Sequence, residues 1–299
     1  MAEELRIAER PSLRRPILIC AFRGWNDGGQ GASLAVGFLA RSWGAERFAD
    51  IDPEEFFDFQ VTRPHVSLIE GTTRRIDWPE TTFMHAAIPG LDRDAVILLG
   101  IEPNMRWRRF SDLVAGLADE VGVEFVVTLG SLLADVPHTR PSPVTGSATD
   151  QQLIDELGLE RSRYEGPTGI VGVLHDAFYR RGISAVNLWA AVPHYVSLAP
   201  SPRAALALCE RLSSLLCASF DTSELQEASE TYAEQVSQAV ASDAETQAYV
   251  EELEQRSDDL AQQDISGETL AAELTRFLRD RERGNGGGPK PPDDLPREQ

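Results

Sequence analysis

The chain has 299 residues, a formal charge of −20 and a pI near 4.6, a balance that disfavours nucleic acid and anionic membranes as partners, since both need a basic footprint. The acidity is uneven: residues 221–299 hold 20 Asp/Glu against 7 Lys/Arg. Lys290 is the sole lysine, so the first 289 residues offer none for a Schiff base, a P-loop or a nucleotide clamp.

The first predicted strand, Ile17–Phe22, runs through Arg23–Gly29 into a helix over about 30–43, with Leu34, Phe38 and Leu39 at helical spacing. Short strands are expected over 47–51, 56–59, 66–70, 74–77 and 83–87, separated by Pro and Gly as in a meander or sheet edge. Strand 95–101, helix 107–121 and strand 124–129 follow. A long Pro/Ser/Thr loop through Gly146 then leads to a short helix over 149–157. Gly166-Pro-Thr-Gly169 opens a helix to about Arg181, with Thr168 as N-cap and Gly182 as the stop. Strand 183–191 precedes a helix to Phe220, capped by Ser201 and started by Pro202. Beyond 224, Leu225, Ala228, Tyr232, Val236 and Val240 form an apolar stripe on an acidic helix. A second stripe joins Leu270, Leu274, Phe277 and Leu278, and 284–299 have the composition of a disordered tail.

This alternation predicts a three-layer α/β domain over 10–220, a helical appendage over 221–283 and a tail over 284–299. The continuous apolar runs read as strands buried on both faces of a mostly parallel sheet. Each stops abruptly in Gly, Pro, His or Asp, and in such sheets the carboxyl ends of the strands line the ligand crevice. The three cysteines offer no pairing or zinc spacing: Cys209 and Cys217 lie eight residues, about 12 Å, apart along one helix. A reduced cytoplasmic protein is expected. Met1-Ala-Glu-Glu-Leu5 has no secretory pattern, and no run is long enough to span a membrane.

The candidate crevice comprises Gly24, Trp25, Asp27, Gly28, Glu102, Ser131, Asp135, His138, Arg140, Thr168 and His194. The turn at 24–31 is either tight and capped by Asp27 or an anion site at a helix start. It lacks the Walker lysine, and Leu34 breaks the dinucleotide spacing. Ser131, Asp135 and the two Val-Pro-His segments invite a Ser-His-Asp reading, but no Gly-x-Ser-x-Gly elbow is present. Proline before histidine more simply fixes an extended loop. Glu102 is a base, a ligand or a solvated strand end, and His175 a packing histidine on a helix. Arg and aromatic residues interleave in Met105-Arg-Trp-Arg-Arg-Phe110, which reads either as a protein contact surface or as simple packing. No metal or cofactor is expected.

Gly24-Trp25-x-Asp27-x-Gly29, Gly130-Ser131 with Pro137-His-Thr-Arg-Pro141, Glu165-Gly-Pro-x-Gly-Ile170 and Ala191-Val-Pro-His-Tyr195 occur in this order. Together they resemble the proteasome assembly chaperone 2 family, in particular its actinobacterial branch. The resemblance implies a phosphorylase/hydrolase-like α/β fold and a non-enzymatic, chaperone-like role. It also implies association with like chains, a trimer being favoured, and proteasome subunits as partners. Proteasome-binding relatives often end in a hydrophobic-Tyr-any residue tail. This sequence ends in Leu295-Pro-Arg-Glu-Gln299, so contact through such a tail is not expected. The other reading is an enzyme or small-anion binder using the strand-end crevice.

Overall fold

Alternate residues of Ile17–Arg23 leave this central strand on opposite faces and so found two cores. Ile17, Ile19 and Ala21 enter one cluster, and Leu18, Cys20 and Phe22 the other, all of them buried. A side chain buried on either face of such a strand contributes on the order of 2 kcal/mol, which is why the run is apolar throughout.

The computed structural model describes residues 4–69, 73–148, 150–157, 159–161 and 164–261. In chain order the first elements are β1 (Leu5–Ile7), β2 (Ile17–Arg23), α1 (Gly31–Ser42), β3 (Glu46–Ile51), β4 (His65–Ile69), β5 (Thr73–Asp77), β6 (Thr81–Ala87), β7 (Asp94–Ile101) and α2 (Trp107–Glu120). They continue with β8 (Phe125–Ala134), β9 (Val144–Ala148), α3 (Gln151–Leu157), β10 (Glu160–Arg161), α4 (Ile170–Arg180), β11 (Ser184–Pro193), α5 (Pro202–Leu215), α6 (Ser223–Val240) and α7 (Ala244–Ala261).

Among the described residues, nine strands form one mixed sheet in the order β1-β3-β6-β7-β2-β8-β11-β9-β10, and β4 and β5 form a separate ribbon. The four central strands, β7-β2-β8-β11, are mutually parallel. The flanking β3, β6 and β9 join antiparallel. Helices α1 and α5 cover one face through Ala32, Val36, Leu39, Leu208 and Leu212. Helices α2 and α4 cover the other through Phe110, Val114, Leu174 and Phe178. The expected three-layer α/β architecture is thus present. A Cβ on Gly31 would lie 2.6 Å from that of Ala204, so α1 and α5 approach closely only because position 31 is glycine.

His175 packs on α4 as expected. Its Nε2 lies 2.8 Å from Thr128 Oγ1, and burial pushes its pKa down to about 4, so it is neutral.

Several boundaries differ from expectation. Residues 56–59 are not a strand. Asp52 Oδ1 accepts from Glu54 N and caps a short turn over Pro53–Glu55, after which Phe56 inserts edge-on against Phe110 at 5.5 Å. Aromatic bulk signalled burial there, not extension. The expected loop through Gly146 is shorter, because β8 continues to Ala134 and β9 adds a strand between β11 and the edge strand β10. Helix α5 stops at Leu215 rather than 220, where Cys217 takes a left-handed φ of 51°. The stripe at 270–278 and the tail at 284–299 lie outside the described residues.

Helices α6 and α7 follow the α/β layers. The α6 stripe is buried at Leu225, Tyr232, Val236 and Val240, and α6 packs along α5. Helix α7 contributes Val250 and Leu253, and Val250 joins Tyr232, Val236 and Val240 in a small third cluster against Tyr195 and Val196.

Candidate functional site

The parallel strands β7, β2, β8 and β11 end at one crest, and the eleven sequence-predicted residues fall on or beside it. They form two groups rather than one crevice.

The first group builds the turn from β2 into α1. Glu102, just past β7, reaches across: its Oε2 accepts from Trp25 N at 3.2 Å and its Oε1 from Asn26 Nδ2 at 2.9 Å. The same Oε1 accepts from Ile170 N, 2.8 Å away at the start of α4. Glu102 thus serves the start of α4 in the role expected of Thr168. The N-cap position is Gly169, which makes no side-chain cap bond, and Thr168 is exposed beside it. Gly169 must be small, since a Cβ there would lie 2.4 Å from Asn26 Nδ2. Gly24 has φ +136°, and a Cβ on it would press within 2.9 Å of Glu102.

Asp27 is buried at the head of α1, and its Oδ1 accepts from Ala32 N at 2.9 Å and Ser33 N at 3.2 Å. The orphan donors of the helix start are therefore met by the chain's own carboxylate. Ser131 completes this knot. Its hydroxyl donates to Gly28 O at 2.8 Å and accepts from Ala32 N at 3.3 Å, with Asp27 Oδ1 3.1 Å away. Neither Asp135 nor a histidine is among its partners, so the Ser-His-Asp arrangement does not form. Asp27 Oδ2 is buried without a hydrogen-bond partner.

The second group lies beyond β8 and β11 and is covered by α6 and α7. His138 is 2 % exposed. Tyr195 OH accepts from His138 N at 2.9 Å and lies 2.8 Å from His138 Nδ1, while Nε2 lies 2.9 Å from Ser237 Oγ on α6. The hydroxyl, having taken the backbone proton, is free to donate to Nδ1, and Nε2–H then donates to Ser237. That tautomer is neutral, consistent with burial, which lowers the His138 pKa against a smaller opposing pull from Glu254. Burial likewise pushes Tyr195 up to about 12.

Tyr249 of α7 donates to Asp135 Oδ1 at 3.2 Å, and His194 Nδ1 lies 3.3 Å from the same oxygen. The rings of His138, His194, Tyr195 and Tyr249 meet edge to face, with centroids 5.7–6.1 Å apart. Burial, then the Asp135 charge, raises the Tyr249 pKa to about 12. Thr139 bonds Glu254, and Arg140 grips Asp258 with two 2.8 Å bonds. Arg203 Nε donates to the Arg140 carbonyl at 2.7 Å.

The residues that sequence reasoning did not single out are Asn26, Ser237, Tyr249, Glu254 and Asp258. The four on α6 and α7 sit about a hundred residues from their partners. The α6 stripe was the available signal that something would be covered.

Among the described residues, no helix is long and apolar enough to cross a membrane.

The model of the PAC2 family matches residues 21–240. A PAC2 family protein from Streptomyces avermitilis is 46 % identical, with a TM-score of 0.72 over 79 % of this chain and 99 % of that one. A Mycobacterium tuberculosis protein described as a proteasome-assembly chaperone homologue is 44 % identical, with a TM-score of 0.71 over 78 % and 99 %. PbaB, an archaeal proteasome activator from Pyrococcus furiosus, shares the fold at 19 % identity, with a TM-score of 0.64 over 79 % and 97 %. No curated protein matches the chain. The Gly-rich β2–α1 turn, the two Val-Pro-His strand ends and the α6 stripe all fall within the matched span, and the chain belongs to the PAC2 family.

Proposed function

We propose that this chain is a non-enzymatic, cytoplasmic, chaperone-like protein that self-associates and binds proteasome α-subunits. The observation that carries the reading is its 44 % identity to the mycobacterial proteasome-assembly chaperone homologue over 99 % of that chain. The crest supports it. Ser131 is committed to Gly28, both ring nitrogens of His138 are engaged, and Arg140 holds Asp258. Groups that would carry acyl transfer or acid–base work are spent on shaping the turn and seating α6 and α7. Affinity measurement between the full-length chain and purified actinobacterial proteasome α-subunits tests it. Saturable micromolar binding is expected, and no binding at about 0.1 mM, roughly 100-fold above that range, ends the reading.

A second reading rests on Asp27 Oδ2, which is buried and unpartnered at the head of α1. A small ligand offering a hydrogen-bond donor there would satisfy it. A thermal-shift screen of small polar ligands tests this. A hit abolished in Asp27→Asn, which keeps the cap but alters that oxygen, supports the reading. Hits that are indifferent to the substitution count against it.

A further inference from the structure

Among the described residues, α6 and α7 cover the β8/β11 half of the crest, whereas Trp25 and Met105 stay exposed on the β2/β7 half. On the β2/β7 half the loops are tied to one another. Asn104 N and Met105 N both donate to Phe56 O, at 2.9 and 3.2 Å. Asn104 Oδ1 accepts from Asp58 N and Thr62 Oγ1, and Phe59 meets Trp78 with ring centroids 4.9 Å apart. These contacts lead from the crest directly into the β4–β5 ribbon.

The ribbon has two unlike faces. Residues two apart share a face. Val66 pairs across the strands with Ile76, and Leu68 follows on the same side; all three are more than half exposed. The opposite side pairs His65 with Asp77 and Ser67 with Arg75, and Arg75 Nε bonds Asp77 at 2.6 Å. A two-stranded ribbon is marginal by itself, and this one leaves its apolar face uncovered. Trp25, 55 % exposed, and Met105 add exposed apolar surface at the crest. Arg74 pairs with Leu68 on the ribbon's apolar face, and Arg23, Arg63, Arg74 and Arg108 are exposed and without an ion pair among the described residues. Tryptophan, methionine and arginine are the side chains that interfaces concentrate, and a basic apolar surface on a chain of charge −20 fits an acidic partner.

Helix α7 presents such a surface. Glu245, Ala248, Glu252, Gln255 and Asp259 recur at helical spacing, all exposed, on the side away from the buried Val250 and Leu253. Ala248 is a small residue between Glu245 and Glu252, so the ribbon can approach between these two carboxylates.

We propose that the β2/β7 half of the crest, with the ribbon, docks the Glu245–Asp259 row of α7 from a second copy of the chain. This rests on the self-association reading above and names its surface. The two surfaces differ, so the contact is head-to-tail and closes into a ring when the rotation between copies permits.

Sedimentation velocity on the full-length chain tests it, with circular dichroism confirming folding, since every changed residue is exposed. Reversing Arg63, Arg74 and Arg108 to Glu is expected to weaken self-association at least a hundredfold. Reversing Glu245, Glu252 and Asp259 to Arg is expected to do the same, and a chain carrying both sets re-associates. Oligomers untouched by either reversal, or no recovery in the double set, overturn this surface while leaving self-association standing. A wild-type chain that stays monomeric at every concentration overturns both.

Discussion

The two halves of the crest are built with different bonds. On the β2/β7 side, carboxylates answer backbone donors: Glu102 holds Trp25 N and Ile170 N, and Asp27 holds Ala32 N and Ser33 N. On the β8/β11 side, side chains answer side chains: His138 and Ser237, Thr139 and Glu254, Arg140 and Asp258. Backbone donors are obligatory, and leaving them buried without partners penalises the whole fold. Side-chain pairs can part and be rehydrated while the layers beneath stay intact. The first half should therefore fail globally and the second locally.

Acid sharpens this contrast most, because each region holds a buried neutral imidazole. His175 belongs to the layers. Burial puts its folded pKa at about 4, below the roughly 6.5 of an unfolded histidine. Between those values the unfolded chain takes up a proton that the folded chain refuses, so stability present above pH 6.5 is lost as pH falls towards 4. At about 1.4 kcal/mol per pKa unit this is on the order of 3 kcal/mol. Urea midpoints at pH 7.5 and 4.5 should differ accordingly, and His175→Gln should flatten the difference. His138 shifts in the same direction, but protonating it removes the acceptor of the Tyr195 hydroxyl at the seat of α6. Hydrogen exchange should show α6 and α7 loosening at a higher pH than the central strands do.

Glu102→Ala should destabilise the whole domain by about 2–3 kcal/mol, since two backbone donors and Asn26 lose their acceptor together. Chemical denaturation would report a shifted midpoint with one cooperative transition. A second, earlier transition confined to α6 and α7 would contradict the division drawn between the halves.

Much of the β2/β7 half was legible in the sequence because its logic is local or periodic. The apolar run of β2, the Gly-rich turn and Asp27 as the cap of α1 all lie within about fifteen residues. Glu102 as the anchor of α4 was not legible, because it acts on Ile170 from 68 residues away and displaces the nearer candidate, Thr168. The polar strand ends of β8 and β11 were visible, but their meaning was not. Val-Pro-His reads as chemistry until α6 and α7 are seen to cover it. Helix α7 itself gave little warning, since Val250 and Leu253 are its fully buried apolar residues and the rest is largely charged or polar. Strand β9, Val-Thr-Gly-Ser-Ala, lacks an apolar run because it lies near the sheet edge.

His138→Phe keeps the bulk and the ring contact but leaves Tyr195 OH and Ser237 Oγ to find water. The expected loss is about 1–2 kcal/mol, felt at α6 and α7 rather than in the sheet. Exchange of amides in 223–261 should quicken several-fold while those of β2 and β8 hold their wild-type rates. Equal acceleration in both regions would mean that the helices and the layers unfold as one unit.

The smallest expected effect belongs to Arg140→Ala. The guanidinium grips Asp258 by two bonds, yet both groups are partly open to solvent, with side-chain exposures of 35 % and 51 %. Solvent screening leaves such a pair little net stabilisation, and added salt weakens it further. The substitution should leave the urea midpoint within error and raise amide exchange only in the last turns of α7, by about twofold, in low salt. At about 0.5 M salt, wild type and variant should converge, because ions then do to the wild type what the substitution does to the variant. A difference that persists at high salt would place the contribution of Arg140 in the packing of its alkyl stem, since alanine keeps the carbonyl that takes the Arg203 bond at 2.7 Å.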